Sequence, residues 1–576
     1  MQMTVWDARC RSEDFAFDFE TTGLNPRTCK ALGVSLATET EKGYLPLLPC
    51  RGGDGISVNQ NASKKLLRSI LGSEAVKIAH NMKYDMAVAL NMGIDVVWPF
   101  GCTQVAAFSH DCTRLTYNLR DISARYGITP APDFSDFAGK IPMEDFSTIE
   151  LAFYSIPHAV NTFRLHKILE RCLKMSDQWG LYWDIEMPCV PSIVWIEDSG
   201  VCVDIERAEE LRDEMLLMEE ELENEIYELA GGEFNIRSND QLGSILFKKL
   251  RLPVAKYSAK THKPSTDKET LEKLNHPIVN LLLEYKEVGK LRSTFVEAIP
   301  KWEVDGRIHT NLNLTVARSG RLSSSQPNLQ NIPHYDRFGV RKLFIADDGY
   351  SLAVADSSQI EMRIAAILSG DAALYEVYSQ SGDIHSKTCE AIFGEVTPEL
   401  RAVAKTINFA VGYGMQEFSL AKRLGISTKK ASDYLSRYWG TYKGLNKYNK
   451  YLINMARETG YAQTLGGRRR PLYGINSSDN GKRLADERIA TNHPIQGTAA
   501  EIQKIAQRLL WERFRDTEVR CVLTVHDELV LEAPTDIVDE VLVEQVEIMS
   551  TLGGRVKFDI PLLAEGKTGQ NWGECH

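Results

Sequence analysis

Residues 351–363 read SLAVADSSQIEMR, and how they are interpreted decides the fold. Leu352, Ala353, Val354 and Ala355 form a short apolar run suited to a buried strand, with Asp356 at its end. A strand that ends in a carboxylate and turns into a helix suits a metal, although Asp356 as a simple helix cap fits the same pattern. A second stretch, VLTVHDELVL at 522–531, places two apolar half-strands around His526, Asp527 and Glu528. Acids at the tip of a hairpin between buried strands lack a structural reason. Brought together, Asp356 and Asp527 would repel unless cations stood between them. A pair of oxygen-bound Mg²⁺ ions is the natural occupant.

The chain of 576 residues is long enough for several domains, and 43% hydrophobic with 25% charged residues is a globular composition. No apolar run reaches the length of a membrane span, so no membrane partner is expected. The opening MQMTVWDARCRSED lacks a signal-peptide core. The 11 cysteines form no CxxC pair, which argues against a disulfide framework or a zinc site and fits a reducing cytoplasm. A net charge of −11 argues against a simple nucleic-acid coat but leaves room for a locally basic cleft. Three basic clusters stand out: Lys248, Lys249 and Arg251; Lys286, Lys290 and Arg292; and Arg468, Arg469 and Arg470. Each reads first as a solvated face.

Residues 14–37 read as strand, turn, strand. Phe15 to Glu20 alternate, so Asp18 and Glu20 share one strand face. Two acids on one face are commonly solvated, yet these sit among phenylalanines, which brings a metal into consideration. A further strand ends near Asn81, and Asp85 falls at the start of a helix. From about 180 the pattern turns helical, with a Gly200 stop and a long acidic amphipathic run over 204–230. Helix pairs with basic edges over 233–295 suit a part that grips phosphates, though a plain helical hairpin has the same pattern. Residues 254–268 read as loop. A polar stretch over 307–333 precedes the Asp356 strand, and a mainly helical block covers about 385–480. Within that block Arg401, Lys405, Phe409 and Tyr413 recur every four residues and so share a helix face. Two cations followed by two aromatics fit a triphosphate below and a base above. An ordinary amphipathic helix with a snorkelling basic end fits equally.

The N-terminal pieces resemble the DEDD-type 3′–5′ exonuclease domain. Asp18-x-Glu20 matches its first motif, and Asn81-x-x-x-Asp85 matches its second. In the third, Tyr154 matches, but His158 stands where the fourth carboxylate belongs. The histidine-type variant of that motif needs an Asp five residues further on, and residue 163 is Phe. The resemblance implies the fold, with an exonuclease-like site of Asp18, Glu20, Asp85, Tyr154 and His158. Proofreading is expected to be weak or absent, unless Mn²⁺ or an acid such as Asp145 or Glu150 makes good the ligand set.

Motif by motif, the remainder resembles family A, the DNA polymerase I-like family. DSSQIEMR at 356–363 resembles its motif A, RAVAKTINFAVGYG at 401–414 its motif B, and VHDE at 525–528 its motif C. SGRLSS at 319–324, PNLQNIP at 327–333 and QGTAA at 496–500 match as well, in the family's order. Ser357 departs from the family's tyrosine, but the role there is a backbone carbonyl, which serine supplies. The family's 5′ nuclease domain is not expected in this chain, and its length and ending look like phage-encoded members. No long insertion interrupts the predicted thumb, so a thioredoxin-binding segment is not expected either.

The implied architecture is α/β and α+β multidomain: a ribonuclease H-like exonuclease domain over 1–180 and a right-hand polymerase over 181–576. The thumb would cover about 204–300, the palm about 301–384 and 485–576, and the fingers about 385–484. The implied activity is template-directed addition of dNMP to a primer 3′-OH, with release of pyrophosphate. Two Mg²⁺ ions, replaceable by Mn²⁺, would be held by Asp356, Asp527 and the Ser357 carbonyl, with Glu528 beside them. By the same resemblance Arg401, Lys405, His385, Gln359 and Arg341 belong to the dNTP site, with Lys405 a candidate acid for the leaving group. Phe409 and Tyr413 would stack near the incoming pair, and Glu361 would sit under its sugar. Arg321, Gln496 and Arg488 would contact the primer-template minor groove, where correct pairs share acceptors, and His526 would also contact the DNA. The expected partners are primer-template DNA and dNTPs, the expected state is a monomer in the cytoplasm (the host's, if phage-encoded), and the sequence names no accessory protein.

Three other readings compete. A stand-alone exonuclease of the ribonuclease D type leaves Asp356, Asp527 and residues 401–414 idle. A single-subunit RNA polymerase shares the palm, but a carboxylate at Glu361 would crowd a 2′-OH. A DNA-binding scaffold with degenerate sites does not explain two intact polymerase carboxylates.

Overall fold

The computed structural model describes residues 13–52, 58–137, 139, 141–258, 261–334, 337–380, 382–412 and 414–575. The alternation of FAFDFET is realised as the strand Phe15–Thr21, which lies at the centre of a five-stranded sheet. It pairs antiparallel with Ala31–Ala37, which pairs with Lys42–Pro46. On its other side it pairs parallel with Lys77–Ala79, which pairs with Phe100–Cys102. Phe15, Phe17 and Phe19 enter the main core. Ala16 points the other way and packs with Ile78 and Phe163. Phe163 belongs to the helix Thr148–Met175, so this helix covers the face that also carries Asp18 and Glu20. Its start is fixed by a reciprocal cap in which Ser147 and Glu150 satisfy each other's backbone N–H groups.

The stretch that opened the sequence analysis is the strand Tyr350–Ser357 followed by the helix Ile360–Ser369. It lies inside a four-stranded sheet with the order Arg520–Val525, Glu528–Pro534, Tyr350–Ser357, Ala564–Gly569. Gln359 makes the turn between strand and helix with φ at 53°, and Tyr378 donates to its side-chain oxygen at 3.0 Å. A left-handed non-glycine residue costs on the order of 1 kcal/mol, which the surrounding packing must offset. Part of that support comes from Arg363. It donates to the carbonyls of Ser358 and Pro561 at 3.0 and 2.9 Å and stacks over Tyr378.

The helical block contains Ile384–Phe393, Pro398–Gly412, Glu417–Leu424, Thr428–Thr441 and Lys443–Thr459, then a hairpin of Tyr461–Gln463 with Arg469–Pro471. The 35-residue helix Asn480–Phe514 follows. The sequence reading missed it, because Pro494 and a run of Thr, Asn and Gln hide its period. Buried ion pairs within the same compact unit brace its middle: Lys504 donates to both oxygens of Glu186 at 2.7 and 2.8 Å.

By internal packing the chain forms two compact units, one of residues 1–199, 312–325 and 353–567, the other of 200–311, 326–352 and 568–576. In the second, Asp204 caps the helix Ile205–Ala230, and Gly231 ends it with φ at 69°. That helix packs on Pro277–Thr294. Arg292, read from sequence as part of an exposed basic edge, is instead buried and paired with Glu219 at 2.8 Å. A small sheet of Phe344–Ile345, Val201–Val203, Arg307–Ile308 and Glu303–Val304 completes the unit. Among the described residues no helix is long and apolar enough to cross a membrane.

Candidate functional site

Asp356 stands near the end of its strand with its side chain exposed, as a strand that emerges from a core requires. The turn between Arg520–Val525 and Glu528–Pro534 holds His526, with φ at 55°, and Asp527, whose side chain is 28% exposed. Ser357 N–H donates to the Asp527 carbonyl at 3.2 Å, which joins the end of one strand to the tip of the hairpin. The two acidic motifs are therefore adjacent, as the sequence reading required. Glu528 is buried and registers opposite Val525. Both strands of the hairpin are buried on both faces except at their outer ends, Arg520 and Pro534, so Asp527 sits where its tip opens to solvent.

Beside these acids lies Arg321. Its Nη2 donates to Glu361 at 2.6 Å and stands 3.5 Å from Asp527. Gln496, half-buried, is on the long helix next to Gly497. A Cβ at Gly497 would lie 3.2 Å from the Ser319 carbonyl. Glycine there lets the helix approach the loop that carries Arg321. Arg488 and His526 are exposed, and Arg488 packs against Gly414, whose φ is 69°.

On the helix Pro398–Gly412, Arg401, Lys405 and Phe409 are all exposed, while Ala404, Ile407, Asn408 and Ala410 are buried. The four-residue spacing thus gives one open face. Tyr413 lies outside the described residues. Arg401 is not isolated on that face: its Nε donates to Asp383 at 2.6 Å. Burial opposes charge on Asp383, but Arg401, then Ser386 and the His385 N–H, hold its carboxyl well below the ordinary range. Sequence reasoning missed Asp383, although its place two residues before His385 marks it as a helix cap, which it is. The His385 ring is buried, 5.8 Å from the Phe409 ring, and its Nδ1 meets the Asn408 amide at 2.9 Å. Burial lowers its pKa from 6.5, and Arg401 and Lys405 push the same way against Asp383. Arg341 is in the second unit, where it donates to the Pro333 carbonyl at 3.1 Å and stacks on Trp572.

The second acidic group forms under the helix Thr148–Met175. Asp18, Glu20 and His158 each offer a ligand atom, and these atoms lie within 4.8 Å of one another. Asp85 is placed beside them, buried, with one oxygen accepting the Phe19 N–H at 3.2 Å. Burial raises the carboxyls of Asp18, Glu20 and Asp85. The neighbouring carboxylates add to the shift of Glu20 and Asp85, while His158 opposes it at Asp18. Tyr154 sets its ring against His158 at 4.6 Å and stacks on Phe137. The two acids considered as substitutes are engaged elsewhere: Glu150 closes the helix cap, and Asp145 faces Arg51 at 3.4 Å.

The basic cluster at 468–470 also departs from the sequence reading. Arg468 is 1% exposed and donates to Glu186 at 2.5 Å, so it is a buried ion pair and not a solvated face. Only long-range pairing reveals this.

Residues 205–574 match the family model described as DNA polymerase family A. The chain belongs to that family. Residues 5–174 match a model described as 3′-5′ exonuclease. Among relatives of the family A chain is DNA polymerase I of Pseudomonas aeruginosa, 36% identical over 592 residues, covering 98% of this chain and 64% of that protein. Another is the thermostable DNA polymerase I of Thermus filiformis, 40% identical over 405 residues, 69% of this chain and 48% of that one. The family A chain thus spans less than two thirds of these relatives' length. A solved structure, the POL domain of Pol1 from M. smegmatis in complex with DNA primer-template and dNTP, aligns with a TM-score of 0.87 at 29% identity. The alignment covers 97% of this chain and 96% of that one. The match extends over both parts of the predicted fold, the exonuclease-like domain and the polymerase.

Proposed function

We propose that this family A chain extends a DNA primer on a template, adding dNMP to the 3′-OH and releasing pyrophosphate. The observation that carries the reading is the junction of Ser357 with Asp527, which brings two acidic motifs together at the strand ends of one sheet, in the same compact unit as the open face of Arg401, Lys405 and Phe409. Asp356 and Asp527 offer oxygen donors at a solvent-reaching strand end, a set that fits hard divalent ions of the Mg²⁺ class. Their carboxylates and the Ser357 carbonyl would hold such ions. When bound, they supply positive charge that acidifies the primer hydroxyl and steadies the pyrophosphate.

The other steps belong to side chains. Arg401 leaves Asp383 to take phosphate oxygens, and Lys405 neutralises the triphosphate and supplies a proton to the leaving group. His385 and Gln359 complete the nucleotide pocket. Phe409 and Tyr413 stack on the nascent base pair. Glu361 lies under the sugar and excludes a 2′-OH. Arg321, Gln496, Arg488 and His526 hold the primer-template, and Glu528 belongs to the catalytic set beside Asp527. The hand-like division into thumb, palm and fingers is proposed with the boundaries given above. The 3′–5′ hydrolytic activity is weak or absent in Mg²⁺, because a nitrogen ligand replaces an anionic oxygen at His158.

Extension of a labelled primer with and without a mismatched 3′ end tests both parts. Incorporation from the matched end is expected, with little trimming of the mismatch in Mg²⁺. Absence of incorporation with all four dNTPs refutes the polymerase reading.

A further inference from the structure

We propose that the exonuclease-like unit holds a nitrogen-containing metal site: Asp18, Glu20 and His158 together bind one first-row transition ion, Mn²⁺ being the example tested, in preference to Mg²⁺. The inference deepens the reading of weak Mg²⁺ proofreading and rests on the same histidine. It is independent of the polymerase reading.

The geometry begins with the tautomer. His158 Nε2 lies 3.0 Å from the carbonyl oxygen of Pro132. A carbonyl only accepts, so Nε2 carries the hydrogen, which leaves Nδ1 as the ring nitrogen able to present a lone pair. Nδ1 is buried and has no hydrogen-bond partner among the described residues. It lies 4.0 Å from Asp18 Oδ2, too far for a hydrogen bond and the right order of separation for two ligands of one ion. Glu20 completes the trio within 4.8 Å. Ring orientation is held from both sides, by the Pro132 carbonyl and by the edge of Tyr154. A metal-binding imidazole is commonly set this way, with its far N–H tied to a carbonyl.

Nδ1 faces Asp18 and Glu20, and a nitrogen donor set against two carboxylates calls for a cation among them. Magnesium prefers six oxygen ligands and dehydrates reluctantly, whereas imidazole binds the first-row transition ions, a series that Mn²⁺ opens. Swapping the fourth anion for nitrogen therefore changes which ion the pocket selects. It also lowers the negative charge that two closely spaced ions would need.

The test uses the full chain carrying Asp356→Asn and Asp527→Asn, so that the other acidic site does not compete. Mn²⁺ binding is followed by electron paramagnetic resonance, and spin-echo modulation reports coupling to ligand ¹⁴N. One bound Mn²⁺ with a nitrogen coupling is expected, with Mg²⁺ at least about tenfold weaker in competition. His158→Gln is expected to remove the coupling and weaken Mn²⁺ by about tenfold or more. His158→Asp is expected to keep an ion and shift preference toward Mg²⁺, which guards against a variant that only fails to fold. Binding without nitrogen coupling, or Mn²⁺ affinity unchanged by both substitutions, overturns the proposal. Because binding is measured apart from nuclease rates, rapid Mg²⁺ trimming by a chain that still shows the coupling would overturn the weak-proofreading reading alone.

Discussion

Arg321 donates from Nη2 to Oε1 of Glu361 at 2.6 Å, bridging forty residues of sequence. The same nitrogen stands 3.5 Å from Asp527. One guanidinium thus neutralises the acid proposed to sit under the sugar and lies beside a proposed ion ligand. Effects of these residues should not be independent.

Glu361→Ala is expected to lower the ratio of kcat/KM for dNTP over rNTP by about tenfold or more, with some loss of dNTP turnover. Because Arg321 loses its partner, the double variant Arg321→Ala/Glu361→Ala should fall short of the product of the single effects by at least about threefold. An unchanged ratio places the sugar gate elsewhere, and simple multiplicativity denies the pair a functional role.

Asp527→Ala and Asp356→Ala are each expected to cut extension by far more than about tenfold while leaving DNA affinity within about threefold. Phosphate contacts dominate DNA affinity, so loss of a metal ligand should spare it. Primer extension and a binding titration at one fixed salt concentration check both halves. Extension within about tenfold of the unaltered chain in either variant sinks the two-carboxylate assignment.

His158→Asp is expected to raise degradation of a single-stranded labelled primer in Mg²⁺ by about tenfold or more, since it restores an anionic oxygen ligand. Asp18→Ala in that background should abolish the gain. Rapid trimming by the unaltered chain in Mg²⁺, abolished by Asp18→Ala, would show that His158 serves as well as a carboxylate.

His80 gives a pH-dependent stability. Its Nε2–H donates to the Tyr117 carbonyl at 2.8 Å, and its Nδ1 pairs with the Thr103 hydroxyl at 2.9 Å. Burial lowers its pKa from 6.5 to about 4, the Tyr117 bond opposing and His158 adding to the shift. Between these values the unfolded chain binds more protons, so the contribution is complete above 6.5 and is lost as pH falls toward 4. The loss is on the order of 3 kcal/mol. His80→Gln cannot titrate, so its deficit in melting temperature at about pH 7.5 should shrink by about pH 4.5. A deficit that stays constant with pH contradicts the assignment.

Glu186→Gln leaves Arg468 and Lys504 buried without their shared anion; the three side chains are 0%, 1% and 2% exposed. Removing one partner of such a group typically costs about 3–5 kcal/mol. A fall of that size in the unfolding free energy is expected, read from the denaturation midpoint at unchanged m-value. A midpoint unchanged within error would show that Glu501, 3.9 Å from Arg468, takes over the charge.

Periodic patterns were legible because they are local. Alternation placed Asp18 and Glu20 on one strand face, and a four-residue spacing placed Arg401, Lys405 and Phe409 on one helix face. Apolar runs ending in Asp356 and Asp527 announced strand ends, and the motifs named the family before any coordinates. What those patterns could not state is which distant groups meet. The partners of Arg321, Arg468 and Arg292 lie 40, 282 and 73 residues away, and no local signal distinguishes a solvated arginine from a buried pair. Nor could sequence orient the imidazole of His158. Its lone pair is directed by a carbonyl at Pro132, 26 residues away, because hydrogen-bond geometry at a buried nitrogen is set by whatever the folded chain brings within about 3 Å of it.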